Sequence, residues 1–107
     1  MEQKQELPKV VVEAQAAGKT ILVLTGDDGR TYYFLKPGGK DIERFIATAV
    51  KGRAALAARN LVLEMALSPN SAEVAKEFEE TPGRMVALNN ALQAAVGMNE
   101  EFNAKKL

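Results

Sequence analysis

The chain has 107 residues, 47% hydrophobic and 26% charged, with 14 cationic and 14 anionic side chains that cancel. That length holds one domain with one core, and the composition is that of an ordinary globular protein. With no cysteine and no histidine, disulfide frameworks, thiolate metal sites and the commonest general base at neutral pH are all excluded.

We take residues 1–107 as a single domain, with 1–7 and 103–107 frayed. The opening stretch, Met1 to Lys9, is charged and lacks the apolar run of a signal peptide. The longest apolar stretches are too short to span a bilayer, so a cytoplasmic address and no membrane contact are expected. A domain of this size buries only about 60–65% of its unfolded surface, so a partner or a second copy would add useful stability.

In chain order, Pro8 opens a short helix that runs to Ala17 and stops at Gly18, a residue suited to a left-handed backbone. The β-branched run Val10 to Val12 leaves a strand as the alternative for residues 8–17. Two strands follow, Lys19–Thr25 and Arg30–Lys36, joined by the turn Gly26-Asp27-Asp28-Gly29. Alternation puts Ile21 and Val23 on one face of the first strand and Leu22 and Leu24 on the other. Tyr32 with Phe34 opposes Tyr33 with Leu35 on the second strand. A ribbon apolar on both faces must be covered on both, by the helical body on one side and by the N-terminal segment or a partner on the other.

Pro37-Gly38-Gly39 leads into an amphipathic helix, Lys40–Lys51, with Ile42, Phe45, Ile46, Ala49 and Val50 on its core stripe. Gly52 separates it from a helix over Arg53–Leu67, apolar nearly all round in its second half and therefore expected at the centre of the domain. Ser71 is expected to cap a short helix with Ala75 and Phe78 inward. Thr81 as N-cap and Pro82 at the first helical position begin the last firm helix, with Met85, Leu88, Leu92, Ala95 and Val96 inward and Asn89, Asn90 and Gln93 outward. Gly97 ends it, and Met98–Leu107 is expected to add a helical turn or two carrying Phe102. The expected fold is α+β, an N-terminal β-hairpin packed on a bundle of four to five α-helices.

No chemistry-bearing constellation emerges. Gly26–Gly29 lacks the alternating ligands and distal glutamate of a calcium loop. Lys36-Pro37-Gly38-Gly39-Lys40 lacks the spacing of a phosphate loop, and Asp41 stands where its hydroxyl would be. The carboxylate pairs Asp27-Asp28, Glu79-Glu80 and Glu100-Glu101 are sequence neighbours in polar surroundings, unsuited to acid–base work. The chain is therefore read as non-enzymatic, with no cofactor and no metal.

Charge is segregated along the chain. Lys36, Lys40, Arg44, Lys51, Arg53 and Arg59 face only Asp41 and Glu43 between residues 36 and 59. Seven glutamates face only Lys76 and Arg84 between 60 and 104. Solvated helical faces account for this pattern. The alternative is a small nucleic-acid-binding or regulatory protein using the Lys36–Arg59 stripe, which lacks the interleaved aromatics such a surface uses. Tyr32 and Tyr33 could stack bases, although cross-strand packing is the simpler role.

Three pieces of sequence resemble a known family. The hairpin is followed by Lys36-Pro37 and an amphipathic helix with Phe45; Asn60-Leu61-Val62-Leu63-Glu64 leads to Ser68-Pro69; and Phe78-Glu79-Glu80-Thr81-Pro82-Gly83 precedes Ala87-Leu88 and Ala91-Leu92. Together, over roughly residues 19–97, they resemble the small tail assembly chaperones of long-tailed bacteriophages and prophages. Such proteins tend to carry a hydroxyl residue after the Lys-Pro pair, where this chain has Gly38. The resemblance implies a helper that binds the long helical tape measure protein before the tail tube polymerises. Such a helper needs apolar surface and solubilising charge, not a catalytic group. Tyr32, Tyr33, Met98, Phe102 and Leu107 are the candidate partner-binding residues, with ordinary core or terminal packing as the alternative for each. Nucleic acid is not the expected partner, and a homo-oligomer is compatible with the composition.

Overall fold

The structure is a computed structural model and describes residues 7–107. The fraying expected for residues 1–6 lies outside the described residues. Helix α1 (Lys9–Ala16) is followed by strands β1 (Ile21–Thr25) and β2 (Thr31–Leu35), helices α2 (Gly39–Val50) and α3 (Ala54–Met65), strand β3 (Ala66–Ser68), and helices α4 (Ser71–Glu80) and α5 (Gly83–Ala95). This is an α+β fold. Residues 8–17 resolve to helix, and Gly18 takes a φ of 83°, the left-handed conformation that ends it without a Cβ clash.

The hairpin gains a third strand. β1, β2 and β3 form an antiparallel sheet in that order, with Tyr33 opposite Ser68 and Phe34 opposite Ala66. The helix expected to reach Leu67 therefore ends at Met65. Pairing with β2 is the physical reason: Ala66 turns to extended backbone opposite Phe34, and Pro69 holds Ser68, the residue before it, extended as well. Leu67 continues an apolar run and so disguised the change of conformation.

The core lies between the sheet and the helices. Tyr32 and Phe34 point from β2 onto Leu61, Val62 and Met65 of α3, Val74 and Phe78 of α4, and Leu88 and Leu92 of α5. The opposite face of the sheet carries Ile21, Val23, Tyr33 and Leu35, following the register Ile21 to Leu35 and Val23 to Tyr33. α1 touches β1 and β3, and its Val11 is buried outside the main cluster. The N-terminal segment is thus the second cover, though a partial one, since Val23 stays 58% exposed.

Helix ends depart from the sequence reading in two places. Asn70, not Ser71, caps α4, its Oδ1 accepting from Glu73 N at 2.9 Å. Pro82 occupies the N-cap position of α5, and Thr81 lies one residue earlier with its carbonyl accepting from Arg84 N. At α2, Gly38 N donates to Asp41 Oδ2 at 2.8 Å. This is one half of a capping box and needs no hydroxyl at residue 38.

α2 rests on α3 and is tied to it by Arg44, which donates to Asp41 at 2.7 Å and pairs with Glu64 at 3.2 Å. None of its residues is fully buried. The core stripe expected of it is only half realised: Ile42, Phe45 and Ala49 are partly covered, whereas Ile46 and Val50 face solvent. Beyond α5 the chain forms no further helix; after a turn at 96–99 it runs as an exposed segment.

Candidate functional site

One polar network joins three elements. Glu77 of α4 uses a single oxygen, Oε1, to accept from the Tyr32 hydroxyl at 2.6 Å, Arg30 Nη1 at 2.8 Å and Arg84 Nη1 at 2.8 Å. Arg84 also donates to the Tyr32 oxygen at 3.2 Å. Burial pushes the Glu77 carboxyl up, but the hydrogen bonds from Tyr32, Arg84 and Arg30 outweigh it and hold the group below its ordinary value. Burial, then the anionic Glu77, push the Tyr32 phenol up. Both groups are therefore locked in their pH 7 forms, one as acceptor and one as donor. That arrangement is structural; neither is poised to exchange a proton.

Beside this network lies a groove of about 400 Å³ between the hairpin turn and α5. Leu24 and Leu88 supply apolar surface, and Ala87 and Ala91, one turn apart on α5, leave the space open. Arg84 lines it too, and Asp27 and Asp28 of the turn complete it. Asp28 Oδ1 accepts from Arg30 N at 3.0 Å, which lowers its pKa and keeps it anionic. An apolar channel with acidic groups at the turn suits a side chain or two from an apolar helix that also carries basic residues.

The five residues expected to bind a partner do not form one surface. Tyr32 is only 3% exposed; its ring stacks on Phe34 with centroids 6.2 Å apart and its hydroxyl is engaged by Glu77. It is a core residue that borders the groove, so its assignment as a free binding or base-stacking residue is corrected. Tyr33 lies half-buried on the opposite face of the sheet, across from Val23. Met98 is half-buried where the chain leaves α5, whereas Phe102 and Leu107 stand fully in solvent.

The basic stripe is interrupted. Arg44 is paired with Asp41 and Glu64, and Arg59 sits over the Phe78 ring at 5.9 Å. Lys36 and Lys40 mark one end of α2, Lys51 and Arg53 the other.

Sequence reasoning missed the groove and both of its ionic neighbours. Glu77 and Arg84 are seven residues apart across a helix boundary, outside any within-helix pairing rule. The spacing of Ala87 and Ala91 was the available signal. Among the described residues no cluster of acidic side chains could hold a metal ion, and no helix is long and apolar enough to cross a membrane.

Comparison with known proteins agrees with the fold. An uncharacterised protein, rbstp2171 from Bacillus stearothermophilus, has a similar structure, with a TM-score of 0.68 and 23% sequence identity over 89% of this chain and 98% of that one. At that identity the likeness is one of fold. No curated protein matches the sequence. A family model described as a domain of unknown function, DUF6848, matches residues 19–105, from the first strand of the hairpin to near the end of the exposed segment, and the chain belongs to that family.

Proposed function

We propose that this chain is a non-catalytic protein-binding domain of the bacterial cytoplasm that acts as a tail assembly chaperone, holding the tape measure protein before the tail tube polymerises. The observation that carries the binding role is the groove beside Arg84. It combines an apolar channel, two small residues on α5 and the Asp27-Asp28 turn, and no nucleophile and base converge on it. The choice of partner rests on the resemblance of the sequence motifs to those of such chaperones. A tape measure protein is a long helical chain, and its amphipathic turns suit a groove of this width.

The test is co-expression of the tagged chain with its neighbouring open reading frames. Recovery of a long, helix-rich protein that is insoluble alone supports the assignment, and an Ala87→Trp variant should lose it. Ala87 is exposed, so the tryptophan fills the groove without disturbing the core. Equal capture by Ala87→Trp refutes the groove as the site, and recovery of nucleic acid alone refutes the chaperone assignment.

A further inference from the structure

The exposed side of α2 has a defined charge pattern. Glu43, Ile46 and Val50 fall at i, i+3 and i+7, which places them in one row, and Lys51 and Arg53 follow at its end. All five are exposed; Ile46 and Val50 are 47% and 79% accessible. Glu43, Lys51 and Arg53 take part in no ion pair among the described residues. After Lys40, which is exposed one turn before Glu43, the row reads acidic, apolar, apolar, basic.

The segment after α5 carries its charges in the same chain order. Glu100 and Glu101 precede Phe102, and Lys105 and Lys106 follow it. Residues 99–107 have no regular secondary structure, and Phe102 is 87% exposed, standing clear of its own fold. The lengths agree. Glu43 to Lys51 spans about 12 Å at helical rise, and Glu101 to Lys105 spans about 13 Å when extended.

Polarity decides between this chain's own α2 and that of another copy. Glu100 shares a surface hollow with Lys36, Gly38 and Ile42, so the segment starts beside the N-terminal end of its own α2. Continuing along that helix, it would carry Lys105 and Lys106 toward Lys51 and Arg53, like charge onto like. Laid antiparallel on the α2 of a second copy, it sets Glu100 and Glu101 on Lys51 and Arg53, Phe102 over Ile46 and Val50, and Lys105 and Lys106 at Glu43. We propose that residues 99–107 dock in this way on α2 of a second copy, in a reciprocal two-fold dimer. The exchange covers Phe102 on one copy and Val50 on the other, two of the most exposed large apolar residues. It is independent of the chaperone assignment.

The full chain is measured by analytical ultracentrifugation at up to about 100 μM protein. A dimer is expected whose dissociation constant rises with salt as the ion pairs are screened. The double reversals Glu100→Lys/Glu101→Lys and Lys51→Glu/Arg53→Glu should each weaken it at least about tenfold. Combining all four substitutions in one chain should restore it, because the reversed charges match again. That recovery excludes misfolding as the cause, since two unfolded variants do not rescue each other. A monomeric wild-type chain, a dimer indifferent to either reversal, or a quadruple variant that stays monomeric overturns the proposal.

Discussion

Replacing Glu77 by alanine removes the acceptor shared by Tyr32, Arg30 and Arg84. Glu77 is 16% exposed at its side chain, and the Tyr32 hydroxyl loses its anionic acceptor on a largely buried ring. A hydrogen bond to a charged group contributes about 1.5–3 kcal/mol, whereas the Arg30 pair, with an exposed cation, adds little. The three donors converge on one oxygen, so their contributions do not add. The expected loss is about 2 kcal/mol. In a domain of this length that lowers Tm by about 8–16 °C. Glu77→Gln keeps an acceptor for Tyr32 and loses only the charge, so it should fall near half that loss.

The pH dependence follows from the same contacts. Because Glu77 is held below its ordinary value, the unfolded chain binds its proton more readily. The stabilisation is complete above about 4.5 and is lost as pH falls through the lower folded value. Tyr32 shifts upward, so its contribution is complete below about 10 and is lost as pH rises through the folded value. Urea denaturation across pH, with exposed Glu79→Ala as control, measures both effects. A Glu77→Ala chain no less stable than Glu79→Ala refutes the assignment of this network as a tie between β2, α4 and α5.

Two further substitutions test the packing. Leu92, 0% exposed in the centre of the core, should cost about 2–5 kcal/mol when cut to alanine, whereas the exposed Leu56 should cost much less; denaturant titration compares them. Asn89→Leu should be neutral or stabilising by about 1 kcal/mol, because the buried Asn89 Oδ1 has no hydrogen-bond partner among the described residues. A clear loss of stability there, in the same titration, would show that the oxygen is satisfied in solution.

Asn89 also shows where the sequence stopped being legible. It is polar and was read as outward, yet it lies four residues after Met85 and beside the Leu88–Leu92 stripe, where the packing of α3 against α5 widens the buried arc. A one-dimensional stripe cannot say how far a neighbour wraps around it. The hairpin was readable because its turn residues act locally: Gly29 takes a φ of 81°, and Arg30 N bonds to Asp28 within two residues. Strand β3 is three residues long and makes sense only beside β2, so no local period announces it. The groove is harder still, since Leu24 and Ala87 come from opposite ends of the chain.

The segregation of charge along the chain now has a physical division. Some of it is resolved inside the molecule, where Arg44 reaches across from α2 to Glu64 of α3 and Arg84 of α5 reaches Glu77 of α4. These pairs sit at helix contacts and fix how neighbouring elements meet. Lys51, Arg53, Glu100 and Glu101 enter no such pair among the described residues. They flank exposed apolar residues, Val50 in one case and Phe102 in the other. Unpaired charge beside unburied apolar surface is what intermolecular recognition uses, the charge setting register and the apolar residue supplying area. The groove beside Arg84 lies elsewhere, between the hairpin turn and α5, while α2 leans on α3. A chain paired through α2 therefore still presents its groove, so self-association and partner binding are expected to be separable: Ala87→Trp should leave the dimer intact, and the charge reversals should leave partner capture intact.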